Sequence, residues 1–336
     1  MSILRSRGDL LLLAVAVIWG SSYLAAKSLV VVGGVLAVLA LRFLVSAVAM
    51  VPVVAARRPA RPSRRELGVG TLLGLTQAAV LVLETYGVSL TSATNAGVLI
   101  SLTILLTPAL EGAIGRRPLP GRFFLAAAVA FGGVVLLVAG PGLRAPTAGD
   151  ALMLAAAVVR AAHVTLSGHL TRNRAYDTVT LTAVQTVVGA VVFTAAAAPV
   201  LAGAVHAFGP AEWLGVLYLA LGCSLFAFLV QLWAVRRTSA SRASLLLGTE
   251  PVWAVLIGVG LGGEQLSATT VLGIALVLAG THFGLRVETR HRARSRSGDG
   301  SPALPNPEPE VSVLVGTVPA AQTRREGRED QFGRSH

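Results

Sequence analysis

Six ionisable residues lie inside long apolar runs of this 336-residue chain: Lys27, Arg42, Glu84, Glu111, Arg160 and Glu250. A charge at the centre of a membrane helix costs about 2.5–3.5 kcal/mol or more, so such residues normally face a cavity or a partner. Glu250 is the one best placed for chemistry. Pro251 follows it, lacks an N–H and releases the carbonyl of Leu247 four residues back. A carboxylate beside freed backbone acceptors can hold a proton, a cation or a solute amine. A packing kink with Glu250 paired to Arg160 is the alternative, and the residues leave both open. His163, one turn from Arg160, could extend either arrangement into a proton relay or serve only as structure.

Lys27, Arg42 and Glu84 fall in the outer parts of their apolar segments, where opposite charges at similar depth suggest an ion pair or a charged vestibule. For Lys27 and Glu84, snorkelling to the surface fits equally well. Trp19 reads as either a cavity wall or core, and Glu111, close to Arg116 and Arg117, as an ion-paired residue at a helix end. The single cysteine, Cys223, lies in an apolar run and cannot form an intrachain disulfide. No His/Cys/Asp cluster has metal-ligand spacing, and there is no phosphate loop or nucleophile elbow. Neither a metal, a cofactor nor enzymatic activity is expected.

The elements that must hold these residues follow from composition. The chain is 54% hydrophobic and 13% charged, with a mean hydropathy of +0.72, against about 25% charged residues in soluble domains. The expected class is all-α integral membrane protein. A net charge of +12 would suggest a nucleic-acid partner in a soluble chain, but here the basic residues separate apolar runs and act as orientation signals. No nucleic acid is expected.

A window of about 20 residues, the length that crosses the hydrocarbon core, predicts ten helices. They cover approximately 10–32, 35–56, 67–88, 93–115, 120–140, 150–170, 178–201, 211–234, 243–262 and 267–286. Arginines fall in alternate connections: Arg5 and Arg7, Arg57 to Arg65, Arg116 to Arg122, Arg172 and Arg174, then Arg236 to Arg242. The opposite connections carry Arg144 alone. That alternation predicts ten transmembrane helices with both termini cytoplasmic. Residues 1–9 form a cytoplasmic N-terminus; residues 287–336, rich in Arg and Pro without apolar period, form a disordered cytoplasmic tail.

The chain also repeats itself. Thr91, Ser92, Ala93 and Ala96 match Thr238, Ser239, Ala240 and Ala243 at a fixed offset that continues through Gly133 and Gly280. A slightly smaller offset pairs Gly8-Asp9 with Gly149-Asp150 and sets Arg160 in the place of Trp19. The halves, 10–140 and 141–286, hold five helices each. Because five is odd, the second copy enters from the other side, and such inverted repeats place a solute site at the midplane between halves. The positions matching Glu250-Pro251 in the first copy are Thr103-Ile104.

Three motifs resemble the EamA domain of the drug/metabolite transporter superfamily: Trp19-Gly20-Ser21-Ser22 followed by Lys27, Leu41-Arg42-Phe43, and Glu250-Pro251-Val252 with Gly263-Glu264 beyond it. The resemblance covers about residues 8–286. It implies two inverted five-helix repeats that move small metabolites or drugs, commonly in exchange or driven by protons, through a central cavity between the halves.

The combined expectation is a multi-pass secondary transporter in the cytoplasmic membrane, an exporter or exchanger of a small organic solute working by alternating access. Coupling to protons is left open, and a monomer or a homodimer fits equally. The expected cavity residues are Trp19, Lys27, Arg42, Glu84, Arg160, His163, Glu250 and Pro251. A cationic excess among them favours an anionic or zwitterionic solute. The competing class is a membrane scaffold or lipid-handling protein whose buried charges only pair with one another.

Overall fold

The structure, a computed structural model, describes residues 7–57, 61–91, 93–115, 119–138, 147–253, 256 and 268–298. All its regular elements are helices. α1 (Arg7–Gly33), α2 (Val35–Arg57), α3 (Arg64–Leu90), α4 (Ala93–Ser101), α5 (Thr103–Gly115) and α6 (Gly121–Val138) form the first half. In the second half come α7 (Ala148–Thr171), α8 (Thr178–Ala207), α9 (Pro210–Arg237), α10 (Ala240–Leu247) and α11 (Ala268–Gly298).

Six of these are long and apolar enough to cross a membrane: α2, α3, α7, α8, α9 and α11. α1 joins them if its two parts, bent by 44° between Ser22 and Ala25, are one span. The expected fourth span is broken into α4 and α5, and the expected fifth, α6, is short. The ninth begins as α10, restarts at Glu250 and leaves the described residues after Trp253. Its hinge at Gly262 to Gln265, like Arg116, Arg117 and Arg144, lies outside the described residues. The expected boundary at residue 287 falls inside α11, which stays helical to Gly298. Glu288 is the physical reason, since it accepts Ser239 Oγ at 2.7 Å and pairs with Arg242 and Arg292 at 3.4 Å each. Residues 299–336, where most of the expected tail falls, lie outside the described residues.

Local chemistry sets the helix starts. Ser63, Asp177 and Ser239 each accept the backbone N–H three residues on, and Thr147 forms a reciprocal capping box with Asp150. Small residues then bring helices together. Gly70 and Gly74 of α3 seat Val184 and Val188 of α8, and Gly87 seats Met153 of α7.

The repeat is legible in the packing. At an offset of 147, Gly133 of α6 corresponds to Gly280 of α11. A Cβ on Gly133 would meet Gly273 O at 2.8 Å and Val277 N at 2.7 Å; one on Gly280 would meet Ala126 O at 2.6 Å and Ala130 N at 2.5 Å. Ala126 and Gly273, and Ala130 and Val277, are themselves related by that offset. The α6–α11 crossing is therefore reciprocal, as contact across a two-fold axis requires.

The broken helices repeat in the same way. Between α4 and α5, Leu102 N bonds Leu99 O at 3.2 Å and Leu105 N bonds Leu102 O at 2.9 Å. At the equivalent positions Thr249 N bonds Leu246 O at 3.2 Å and Val252 N bonds Thr249 O at 3.0 Å. The first copy makes this break with Ile104 where the second has Pro251, so proline is not its cause. Hydroxyls returned to the backbone are common to both: Thr103 Oγ1 to Ile100 O at 2.9 Å and Thr249 Oγ1 to Leu246 O at 2.7 Å.

Candidate functional site

Arg160 is the centre of the site. On α7 it shares a helical face with His163, Ser167 and Thr171, which the 3.6-residue turn stacks in a line. Its Nη2 donates to Glu84 Oε2 of α3 at 2.5 Å, and its Nη1 lies 3.8 Å from Glu250 Oε2. The guanidinium stands 5.2 Å above the Trp19 ring of α1. Arg160 thus bridges two carboxylates and stacks on an indole. The charges on Arg160, Glu84 and Glu250 are largely enclosed, their side chains being 14%, 12% and 7% exposed.

The two halves meet here at equivalent positions. Trp19 and Arg160, related by the smaller repeat offset, touch each other. Thr103 and Glu250, related by 147, both line one cleft together with Arg160, Gln231, Thr107 and Ser244. Thr107 Oγ1 is buried without a hydrogen-bond partner in that wall.

Arg42 is close by but differently held. Its Nε donates to Ser224 Oγ at 2.6 Å and its Nη2 to Cys223 O at 3.1 Å. Trp19 Nε1 donates to the same Cys223 carbonyl at 3.0 Å, and Ser46 Oγ to Ala220 O at 3.0 Å. These acceptors belong to a π-helical stretch of α9, Tyr218–Phe226. Its wider turns present main-chain oxygens to α1 and α2, and π-bulges of this kind recur at functional sites. Phe228 packs 6.0 Å from the Arg42 guanidinium and edge-on to Trp19 at 6.5 Å.

His163 Nδ1 is hydrogen-bonded to Thr76 Oγ1 at 2.8 Å. It lines a second, narrow cleft with Gln77, Gln185, Gln231, Ser167 and Phe228. Val164 and Gln231 are common to both clefts, which makes them neighbours. Pro251 is buried immediately beyond Glu250, whereas Lys27 is exposed on α1. The sequence reading grouped Lys27, Arg42 and Glu84 by depth. In the fold Glu84 turns to Arg160, Arg42 to neutral oxygens, and Lys27 outward. The cationic excess disappears with Lys27, leaving two guanidiniums against two carboxylates.

Sequence reasoning did not single out the uncharged members, Gln77, Gln185, Gln231 and Ser224. Nor did it find the ionic cluster at the start of α10. There Arg242 grips Asp9 through Nε at 2.9 Å and Nη2 at 2.7 Å, and reaches Glu288. Glu111 accepts Ala240 N at 3.2 Å, Ser241 N at 2.8 Å and Ser241 Oγ at 2.5 Å while pairing with Arg172 at 3.1 Å. The helix start itself was readable, since Ser239 is an N-cap residue type whose side chain accepts Arg242 N, but nothing local in the sequence points to Glu111 or Asp9 as its partners. Among the described residues no group of three or more His, Cys, Asp or Glu could hold a metal ion.

Paired helical halves of apolar composition around an enclosed, charged cleft define a multi-pass membrane protein with an internal polar site. The chain belongs to the EamA-like transporter family, whose model matches residues 6–139 and again 147–284, one match for each half. It is a membrane transporter, as the Trp19-Gly20-Ser21, Leu41-Arg42-Phe43 and Glu250-Pro251 motifs led one to expect. An uncharacterized transporter of Archaeoglobus fulgidus is 26% identical over 235 residues, 66% of this chain and 78% of its own length. A solved crystal structure of another protein superposes with a TM-score of 0.68 at 21% identity, covering 85% of this chain and 99% of the other, a likeness of fold.

Proposed function

We propose that this chain is a secondary active transporter that exports or exchanges a small organic solute across the cytoplasmic membrane by alternating access. In this reading ten spans form two inverted five-helix halves, residues 10–140 and 141–286, with both termini cytoplasmic and the remaining residues forming a tail. The two halves rock about the midplane, and the solute site lies where equivalent positions meet. Trp19, Arg42, Glu84, Arg160, His163, Glu250 and Pro251 form or border it, and Lys27 lies towards its rim.

The observation that carries the proposal is Arg160 held between Glu84 and Glu250 on the wall of the cleft. A guanidinium shared by two carboxylates can exchange one of them for the carboxylate of a solute, and the released carboxylate can then receive a solute ammonium. Two cations against two anions favour a zwitterionic or neutral solute over an anion.

The test is flux into proteoliposomes containing the full chain, across a panel of zwitterionic, anionic and neutral metabolites, with and without an imposed pH gradient. Saturable, trans-stimulated flux is expected, and Glu250→Gln or Arg160→Ala should lower it at least tenfold. Unchanged flux in both variants overturns the site assignment. Absence of any saturable flux favours a scaffold, and non-saturating flux without trans-stimulation a channel. A response to the gradient reads proton coupling directly.

A further inference from the structure

The second cleft differs in kind from the charged one. Its polar lining is Gln77 from α3, His163 and Ser167 from α7, Gln185 from α8 and Gln231 from α9, with the Phe228 ring on one side. None of its lining residues is an acid, an arginine or a lysine. Gln185 Nε2 is occupied by Leu181 O at 3.2 Å, and His163 by Thr76. Gln77 and Gln231, each only 6% exposed, hydrogen-bond to no described protein group. Polar groups in a protein interior take a partner, protein or water, wherever one can reach them. Two such amides facing one cleft, on different helices, mark a place where a polar partner arrives.

The chemistry of that partner follows from the lining. A carboxamide offers two donor hydrogens and an acceptor oxygen. The complementary group is neutral and both donates and accepts, as a carboxamide or hydroxyl does, and it is flat or small enough to lie against Phe228. An ionised group would find no counter-charge there, while an apolar group would leave both amides unsatisfied. Discrimination against the apolar group is the stronger, because unmet buried hydrogen bonds reject a ligand more effectively than lost van der Waals contact.

We propose that the Gln77–Gln231 compartment is a specificity pocket for an uncharged, hydrogen-bonding portion of the solute. The charged head of the same molecule would lie at Arg160, Glu84 and Glu250, so this inference rests on the reading of that cluster as the solute site. Gln231 and Val164, shared by the two clefts, set the junction between head and tail.

The experiment compares two probes with one head: L-glutamine and its apolar isostere L-homoleucine, in which methyl groups replace the amide nitrogen and oxygen. Purified full-length protein is followed by thermal unfolding with increasing probe, and counterflow in proteoliposomes repeats the comparison. Glutamine should act at a concentration at least tenfold lower than homoleucine. Gln77→Met and Gln231→Met should bring glutamine to the homoleucine level. Gln77→Asn and Gln231→Asn, which keep an amide in the pocket, should retain part of the preference and guard against a folding artefact. Equal action of the two probes on the unaltered protein overturns the pocket while leaving the charged cluster standing. So does a preference that survives both Met substitutions, which would make the compartment a site for ordered water alone. Action of neither probe overturns the zwitterion reading of the cluster, and this inference with it.

Discussion

Replacing Arg242 with methionine tests the ionic cluster at the start of α10. Arg242 holds Asp9 of α1 through two hydrogen bonds of 2.9 and 2.7 Å and approaches Glu288 of α11 at 3.4 Å. The side chains of Asp9 and Glu288 are 1% and 2% exposed. Methionine keeps most of the volume and removes the charge that Asp9 and Glu288 face inside the protein. Breaking a buried pair by deleting one partner costs about 3–5 kcal/mol. Glu288 suffers less, because Ser239 Oγ at 2.7 Å and Arg292 at 3.4 Å remain. The loss should therefore fall within that range, with the shorter, two-point contact to Asp9 contributing more than the 3.4 Å approach to Glu288.

A double-mutant cycle separates this account from a generic surface effect. Asp9→Asn in the Arg242→Met background removes the charge that Arg242 had countered. The double variant should recover on the order of 2 kcal/mol relative to the sum of the singles, within the usual span of coupling energies. Glu288→Gln should couple more weakly to Arg242 than Asp9→Asn does. Equilibrium unfolding of the purified protein in mixed micelles measures each corner. If Arg242→Met costs under about 1 kcal/mol and the singles add, the cluster is a solvated surface pair and the burial argument fails.

The reciprocal α6–α11 crossing predicts that Gly133→Ala and Gly280→Ala destabilise by similar amounts, about 1–3 kcal/mol, since each added methyl meets main-chain atoms that cannot yield. The double variant should cost less than the sum, because helices parted for one methyl admit the second; thermal unfolding in detergent reads both. Arg42→Lys should destabilise by about 1–3 kcal/mol although charge is kept, since an ammonium cannot reproduce the fork on Ser224 Oγ and Cys223 O. Ser224→Ala should cost less, and equal losses would argue against the fork.

Depth along each helix was legible in the sequence, but rotation about its axis was not. Arg160 and Glu250 lie in the middle portions of their segments, and hydropathy alone placed them there. Which way Lys27 or Arg42 faces requires an apolar stripe with a polar back, and these helices are apolar all round. The sequence therefore left Lys27 between a vestibule and the surface, and only the fold turns it outward. The partner of Arg42 was invisible for another reason: its acceptors are main-chain oxygens of a π-helical stretch, and Tyr218–Phe226 carries no residue that signals one. The repeat was readable because Thr91-Ser92-Ala93 and Thr238-Ser239-Ala240 keep one register. Its break was not legible in the sequence, which reads as continuous spans with a kink at Pro251; Thr103 and Thr249, whose hydroxyls bond back to the helix, are inconspicuous.

The two-fold relation between the halves also explains why the site must be unlike on its two sides. Positions related by the repeat meet at the axis, so identical residues there would face their own kind. Arg160 in both copies would set two guanidiniums about as close as Arg160 and the Trp19 ring are now, 5.2 Å. Trp19 instead offers a ring face that attracts the cation, and its N–H is spent on Cys223 O. The argument predicts opposite outcomes for two substitutions at one position. Trp19→Phe keeps a face for Arg160 and loses one hydrogen bond, for a cost of about 1–2 kcal/mol. Trp19→Arg creates the symmetric, like-charged pair in an enclosed space with Glu84 and Glu250 already engaged, and should leave no stably folded protein by size-exclusion profile. Recovery of Trp19→Arg at the level of Trp19→Phe would show that Arg160 is not confined between the halves, and the electrostatic reason for their divergence would fall with it.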